Sequence, residues 1–96
     1  MSRRIIFKFL LYVADGAQNG AQAKVNLAAF CRTHLPDQHA IEIVDVLKQP
    51  QRALADGIFM TPTLIKLTPP PLRRIIGTLS QTDVLFQALE LEPSAT

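Results

Sequence analysis

Residues 60–77 constrain the fold of this chain more than any other stretch, because four prolines surround two runs of β-forming residues. Pro62 precedes the first run, and Pro69, Pro70 and Pro71 separate it from the second. Proline fixes φ and lacks a backbone donor, so each one restricts how the neighbouring strands pair. X-Pro bonds also adopt the cis isomer at a cost of only about 0.5–1 kcal/mol, and they exchange slowly. The segment predicts two strands around a proline-rich loop that is either rigid or dependent on isomer state.

The first half of the chain predicts a parallel β-α-β unit. Residues 5–13 are apolar on both faces of a strand apart from Lys8, which is typical of a central strand covered on both sides. A turn follows, and residues 21–34 then carry apolar side chains at helical spacing. Residues 40–47 form a second β-like run, and the connection between the two strands is expected to be right-handed.

The second half predicts a short helix, two strands and a final helix. Pro50 suits the first turn of a helix that runs through residue 55, and Gly57 lies just beyond its end. Residues 63–67 and 72–77 predict the two strands that flank the prolines.

A local capping signal marks the final helix. Ser80 is expected to cap it, and Asp83 is expected to complete a capping box. Leu79 and Val84 are expected to form a hydrophobic staple across the same turn. Residues 92–96 are predicted to be a frayed tail.

The resulting order, β-α-β-α-β-β-α across residues 1–96, resembles that of a single thioredoxin-like domain of the α/β class. Domains of this type usually hold a cis proline in a Thr-Pro-Thr loop before the third strand, and Thr61-Pro62-Thr63 matches that loop. Thioredoxin-like enzymes also carry a cysteine pair at the start of the first helix, where the helix N-terminus lowers the thiol pKa. Residues 15–20 contain no cysteine, so composition excludes a dithiol mechanism.

The candidate reactive side chains do not form a catalytic pattern in the sequence. Cys31, the single cysteine, lies on the apolar face of the first predicted helix and is interpreted as a core residue. His34 and His39 flank a turn with no nearby cysteine, so no metal or cofactor is predicted. Asp45 is interpreted as a strand-end residue that faces solvent. The chain is predicted not to be an enzyme, and the alternative is a redox enzyme that uses Cys31 alone.

Charge and hydropathy limit the classes of partner. The formal net charge of +2 is too small to indicate nucleic-acid binding, and no apolar run is long enough to span a membrane. Arg73 and Arg74 are adjacent in a predicted strand, so they face opposite ways and do not form one anion clamp. No secretory signal is recognisable, and a cytoplasmic location is expected. The basic first third and the acidic end suit a partly acidic partner, or else they are solvated faces.

Several segments together resemble the KaiB family of bacterial circadian-clock proteins. They are Leu11-Tyr12-Val13-Ala14, Val44-Asp45-Val46-Leu47-Lys48, Pro50-Gln51, Thr61-Pro62-Thr63-Leu64, and Pro69-Pro70-Pro71 followed by Arg73-Arg74-Ile75-Ile76-Gly77 and Leu79-Ser80. The segment with three prolines and two arginines is highly specific. The same domain type also resembles the sensory domain of the clock-output histidine kinase.

The resemblance implies a regulatory binding protein that interconverts between two folds. KaiB-type proteins exchange between an oligomeric ground-state fold and a monomeric thioredoxin-like fold, and the second half of the chain is the part that refolds. A homo-oligomer, dimer or tetramer, in equilibrium with a monomer is therefore expected. The thioredoxin-like form binds the ATPase ring of the KaiC kinase, with KaiA or a competing histidine kinase as further partners. Slow proline isomerisation is then expected to gate the exchange.

Five residues are expected to contact the KaiC-type ring, namely Ala40, Glu42, Lys48, Gln51 and Arg52. Ala40, Glu42 and Gln51 are assigned by resemblance, whereas Lys48 and Arg52 follow from their position and charge. In the thioredoxin-like form they are expected to present one continuous surface. The alternative function is a thioredoxin-like oligomeric scaffold or stress-response protein without a KaiC partner.

The chain departs from many members of that family at three positions. Ala88 replaces a glycine in the last helix, a change worth roughly 0.5–1 kcal/mol in a helix interior. Together with the cap formed by Ser80 and Asp83, Ala88 is predicted to favour the thioredoxin-like fold. Alternatively, Ala88 is helical in both folds and changes little. Gly57 and Glu42 stand where many relatives carry lysine, so weaker affinity for a standard KaiC ring is expected.

Overall fold

Seven helices and strands follow one another in the predicted order along residues 6–91, the part of the chain that the computed structural model describes. They are β1 (Phe7–Val13), α1 (Gln18–His34), β2 (His39–Asp45), α2 (Pro50–Ala55), β3 (Thr63–Thr68), β4 (Arg73–Ile76) and α3 (Thr82–Ala88). The predicted frayed tail, residues 92–96, lies outside the described residues.

A four-stranded sheet with strand order β2-β1-β3-β4 organises these elements. β1 is parallel to β2 and antiparallel to β3, and β4 is antiparallel to β3. The predicted central position of β1 is confirmed, because a strand pairs with it on each side. Leu10 pairs with Glu42 on one side and with Ile65 on the other. Since paired residues share a face of the sheet, this register decides which side chains lie beneath α2.

Each face of the sheet carries its own apolar core. On the face covered by α1 and α3, Phe9 and Leu11 of β1 belong to one cluster with Leu27 of α1 and Leu85 of α3. The face covered by α2 buries Leu10, Tyr12, Val44, Ala53, Ile58 and Ile65. Successive side chains of a strand point to opposite faces, so the two-sided apolar pattern of β1 reflects these two cores.

Helix α1 begins at Gln18, three residues before the predicted start. Its first residues, Gln18, Asn19 and Gly20, carry no apolar period, so the helical spacing is visible in the sequence only from residue 21 onward. Gly20 lies against β1, and a Cβ at this position would stand 3.1 Å from the Cβ of Val13. The glycine therefore permits close packing between the start of α1 and the central strand.

The predicted start of the last helix is wrong. Helix α3 begins at Thr82, its N-cap residue is Gln81, and no side-chain hydrogen bond caps it. Ser80 and Asp83 therefore do not form the predicted capping box.

The course of the chain before α3 explains this difference. Leu79 is buried in the core and has a φ of 63°, so the chain turns at this residue. The side-chain amide of Asn26 in α1 donates to the carbonyl oxygen of Thr78 at 2.8 Å, which holds the turn against α1. With Gln81 as the N-cap, the positions of a hydrophobic staple are residues 80 and 85, so the predicted pair of Leu79 and Val84 is out of register.

Three of the four bonds that precede prolines in residues 60–77 are cis, namely Thr61-Pro62, Thr68-Pro69 and Pro70-Pro71. The cis proline expected in the Thr-Pro-Thr loop is confirmed. Pro62 is buried, and its carbonyl oxygen accepts the N–H of Gly77 at 3.0 Å. This hydrogen bond ties the start of β3 to the end of β4.

Candidate functional site

The strand part of the predicted partner-binding surface lies on the α2 side of the sheet. Ala40 and Glu42 alternate along β2 and are both exposed. They pair with Lys8 and Leu10 of β1, and Leu10 belongs to the α2 core. Since β2 is an edge strand among the described strands, both residues lie close to the border of the sheet.

The helix part of the surface lies at the start of α2. Lys48 precedes the helix, and Gln51 and Arg52 lie in its first turn. Lys48 and Gln51 are exposed, Arg52 is half-buried, and together with Gln49 and Pro50 they line a shallow hollow. Pro50 is the first helical residue, as predicted, because an N–H at this position would have no intrahelical acceptor.

An ion pair joins the strand part to the helix part. Arg52 donates through its two terminal nitrogens to both carboxylate oxygens of Glu42, at 2.7 and 2.8 Å. These hydrogen bonds hold the pKa of the Glu42 carboxyl below its ordinary value. The pair compensates the charge of Arg52, so Lys48 is the predicted contact residue that keeps an uncompensated positive charge in the described part of the chain. Sequence reasoning placed both partners on this surface and missed their pairing.

A mainly apolar groove of about 200 Å³ adjoins the ion pair on the same side of the sheet. Leu10, Ala40 and Leu67 line it together with Lys8 and Glu42. Helix α2 has six residues and is about 9 Å long. Its C-terminal end contacts Tyr12 near the end of β1, whereas Lys8 near the start of β1 is exposed and lines the groove. The sequence signal for this groove is the mismatch between a short helix and longer strands.

A Schellman motif closes the C-terminal end of α2. The N–H of Gly57 donates to the carbonyl oxygen of Leu54 at 3.1 Å, and the N–H of Ile58 donates to that of Ala53 at 2.9 Å. Gly57 has a φ of 66°, a left-handed conformation that glycine adopts without the steric cost of a Cβ. The glycine at this position therefore has a conformational role in addition to the change of charge.

Two polar side chains from the sheet reach the same end of α2. The hydroxyl of Tyr12 donates to the carboxylate of Asp56. Arg74 of β4 donates to the carbonyl oxygens of Asp56 and Gly57, the latter at 3.2 Å. Tyr12 is fully buried, and this burial together with the Asp56 carboxylate raises the pKa of its hydroxyl to about 12. Sequence reasoning missed these contacts, because the partners are far apart along the chain.

The two adjacent arginines point to opposite faces, as predicted. Arg74 pairs with Ile65 of the α2 core, whereas Arg73 pairs with Lys66. Lys66 also pairs with Phe9, which places it on the face of α1 and α3, and its exposure is only 2%. The sequence signal for this burial is a lysine on a strand face that otherwise carries core residues. Sequence reasoning missed this signal.

The predicted fold-switch residues occupy two places. Pro69 is half-buried, and Pro70 and Pro71 are exposed, in the loop between β3 and β4. Ala88 is the last residue of α3 and is not interior, and Glu90 beyond it has a φ of 56°. The helix-interior value that was expected for Ala88 is therefore an upper limit for its effect in this fold.

The remaining candidate side chains take part in packing or in hydrogen bonds to the backbone. Cys31 is fully buried in the core on the α1 and α3 side of the sheet, as predicted. This burial raises the pKa of its thiol to about 11. The ring of His34 packs against Phe86 at 4.7 Å, and the Nδ1 atom of His39 lies 2.7 Å from a backbone carbonyl oxygen. Asp45 ends β2, as predicted, and accepts a backbone N–H at 2.9 Å. Within residues 6–91, no three His, Cys, Asp or Glu side chains lie close enough to hold a metal ion.

None of the three helices in the described range has the length and hydropathy needed to cross a membrane.

Comparison with known sequences identifies close relatives. The family model of the KaiB domain matches residues 10–91. The chain is 44% identical over 90 residues to the circadian clock protein KaiB3 of Synechocystis sp., a match that covers 94% of this chain and 86% of that protein. It is 43% identical over 91 residues to the circadian clock oscillator protein KaiB of Synechococcus sp., which covers 95% and 83% of the two chains.

Solved structures share the fold at low sequence identity. The N-terminal domain of SasA from Synechococcus elongatus matches with a TM-score of 0.75 and 17% identity, over 100% of this chain and 94% of that domain. Mitochondrial thioredoxin 3 from Saccharomyces cerevisiae matches with a TM-score of 0.72 and 16% identity, over 91% of this chain and 80% of that protein. The predicted thioredoxin-like fold of the α/β class is confirmed. Because the KaiB domain spans most of the chain and relatives exceed 40% identity, this chain belongs to the KaiB family of circadian clock proteins.

Proposed function

We propose that this chain is a non-enzymatic timing regulator that binds the ATPase ring of a KaiC-type kinase and modulates its phosphorylation or ATPase cycle. The observation that carries the proposal is the match to the KaiB family across residues 10–91. The relatives that match almost the whole chain are circadian clock proteins. The protein would act through a binding surface, without a cofactor, and in the cytoplasm.

Exposed apolar side chains around α2 support docking on this face. Leu47, Leu54 and Phe59 lie in or next to the helix, and these residues are 68%, 73% and 89% exposed. Three large apolar residues exposed along one short segment of the chain suit a surface that becomes buried on binding. Lys48 and Gln51 would add polar contacts at the border of this surface, where specificity is usually set.

The charge of the surface suits a particular kind of partner. The charge of Arg52 is compensated by Glu42, so the surface is only weakly positive. The features that it presents to a partner are Lys48 and the apolar groove beside Ala40. We expect the cognate KaiC-type ring to present apolar side chains with an acidic group opposite Lys48. A ring that evolved to bind a more basic surface would bind this chain less well.

Two further partners are proposed. A histidine kinase whose sensory domain is thioredoxin-like is proposed as a competitor for the ring, since the SasA domain has this fold. A KaiA-type protein is the other candidate partner.

The first experiment is size-exclusion chromatography with light scattering, on this protein alone and with the KaiC homologue of its host, in ATP and in ADP. We expect co-elution that depends on the nucleotide. Gln51→Glu combined with Lys48→Glu should weaken the complex, whereas Lys24→Glu, on the exposed side of α1, is the matched control. Absence of a complex in both nucleotides would remove the KaiC assignment and leave the oligomeric scaffold or stress-response protein.

A second packing of the C-terminal half is part of the proposal. The free protein would exchange between the thioredoxin-like monomer and a dimer or tetramer. Ala88→Gly should move the population away from the thioredoxin-like fold, by less than the roughly 0.5–1 kcal/mol of a helix interior, because Ala88 ends α3. Nuclear magnetic resonance would measure the populations of the two folds from the intensities of their separate signals, in the variant and in the unmodified protein. Identical populations in both proteins would support the alternative that Ala88 is helical in both folds.

A further inference from the structure

Arg74 reaches from β4 to the C-terminal end of α2. Its Nη1 atom donates to the carbonyl oxygen of Gly57 at 3.2 Å, and its Nη2 atom donates to that of Asp56. A Cβ on Gly57 would lie 3.7 Å from Nη1, so the guanidinium rests directly on the turn that ends the helix. This contact joins the last strand of the sheet to the helix that is proposed to dock on a partner.

Helix α2 depends on such contacts, because a helix of six residues is too short to be stable by itself. A guanidinium suits its C-terminal end for two reasons. The planar fork reaches two carbonyl oxygens at once, and a positive charge is favourable beside the negative end of the helix dipole. A lysine ammonium keeps the charge but lacks the fork.

Two other polar contacts attach the same helix to the sheet. The hydroxyl of Tyr12 in β1 donates to the carboxylate of Asp56, and Arg52 pairs with Glu42 in β2. Polar side chains thus connect α2 to β1, β2 and β4. Apolar burial is non-directional, whereas hydrogen bonds are directional, so these contacts help to fix the orientation of a helix that covers a small core.

We infer that Arg74 is a positioning residue for partner binding, because it holds the end of α2 and thereby sets the place of Gln51 and Arg52 on the docking surface. The inference rests on the proposed function, since it concerns the same surface. Arg74 belongs to β4, so the docking surface is complete only while β4 is paired with β3 and faces α2. A change that moves β4 would weaken the surface without altering any docking residue.

The test in the free protein compares Arg74→Gln with Arg73→Gln, a matched control on the exposed neighbour that points to the other face. Tyrosine absorbance reports Tyr12 alone, because the chain has one tyrosine and no tryptophan. Loss of a positive charge alone would raise the pKa of Tyr12. If Arg74 holds α2, however, Arg74→Gln reduces the burial of Tyr12 and weakens its hydrogen bond to Asp56, so we expect its pKa to fall from about 12 towards its ordinary value of 10.0. Amide exchange in α2 should become about tenfold faster, while slow exchange in α1 verifies that the variant is folded.

Binding to the KaiC homologue supplies the second measurement. We expect Arg74→Gln to bind about tenfold more weakly, Arg74→Lys to recover part of the loss, and Arg73→Gln to bind as the unmodified protein does. An unchanged Tyr12 titration and unchanged α2 exchange in Arg74→Gln would overturn the inference. Looser α2 with unchanged affinity would overturn it equally. If the unmodified protein binds no KaiC homologue, the proposed function fails, whereas the free-protein measurements still decide whether Arg74 holds α2.

Discussion

Among residues 6–91, the apolar cluster between the sheet and the helices α1 and α3 contains thirteen buried residues, whereas the cluster between the sheet and α2 contains six. The larger core holds its helices by burial over a wide area, which is favourable but non-directional. The smaller core is supplemented by hydrogen bonds from Tyr12 and Arg74 and by the ion pair of Arg52. This chain thus separates two tasks. One face supplies stability, and the other holds a short helix in a defined orientation with most of its surface exposed.

The sharpest test of this contrast uses two neighbours in β1 that point to opposite faces. Leu11 belongs to the larger core and Leu10 to the smaller one. We expect Leu11→Ala to lower the free energy of unfolding by about 4 kcal/mol and Leu10→Ala by about 2 kcal/mol, near the two ends of the range for buried leucines. Urea unfolding measures both variants. Equal losses would mean that the two faces contribute alike to stability.

The buried hydroxyl on the α2 face should have the next largest effect. We expect Tyr12→Phe to cost about 1–2 kcal/mol, because the Asp56 carboxylate loses its hydrogen-bond donor. Asp56→Ala in the same double-mutant cycle isolates the contact.

The same hydroxyl predicts alkaline instability. Its pKa is about 12 in the folded protein and 10.0 ordinarily, so the unfolded chain releases the proton first as pH rises. The stabilisation is complete below pH 10 and is lost as pH rises towards 12. Tyr12→Phe should remove this dependence, and a variant that keeps the alkaline loss would assign it to another group.

The chain adopts a left-handed backbone conformation just after each of the two short helices, at a glycine in one case and at a glutamate in the other. Gly57 follows α2 with a φ of 66°, and Glu90 follows α3 with a φ of 56°. We expect Gly57→Ala to destabilise and Glu90→Gly to stabilise the protein, each by about 1 kcal/mol, because only glycine adopts this conformation without strain. Thermal unfolding measures both, and a neutral result at Glu90 would show that the chain relaxes there.

The smallest effect on stability is expected at the exposed ion pair. Hydrogen bonds from Arg52 lower the pKa of the Glu42 carboxyl in the folded protein. Their contribution to the free energy of unfolding is therefore present above the ordinary carboxyl pKa, and it is lost as the pH falls through the lowered pKa of Glu42. Arg52→Gln should return the pKa of Glu42 towards its ordinary value, as followed by nuclear magnetic resonance. A carboxyl that still titrates at low pH in this variant would require another cause for the shift.

Local patterns predicted the framework because short-range rules produce it. The two-sided apolar run placed β1 at the centre of the sheet, and Pro50 marked the first residue of α2. The same kind of local rule failed at α3. Ser80 and Asp83 have the spacing of a capping box, but Leu79 is buried in the core with a φ of 63°, the chain turns there, and the helix begins only at Thr82.

The candidate site divides in the same way. The five predicted contact residues lie on one side of the sheet around α2, while the groove beside Ala40 and the pairing of Arg52 with Glu42 were not predicted. Both depend on how far a six-residue helix extends across β1 and β2. That extent is set by packing of the helix on the sheet.

The order of helices and strands, the α/β class, the burial of Cys31 and the resemblance to the KaiB family were all readable in the sequence, because periodicity, prolines and short motifs act over a few residues. The hydrogen bond from Tyr12 to Asp56 and the contact of Arg74 with the end of α2 became visible only in the folded molecule. Those partners come together through the pairing of strands and the placement of α2, and no local pattern records a contact between residues so far apart along the chain.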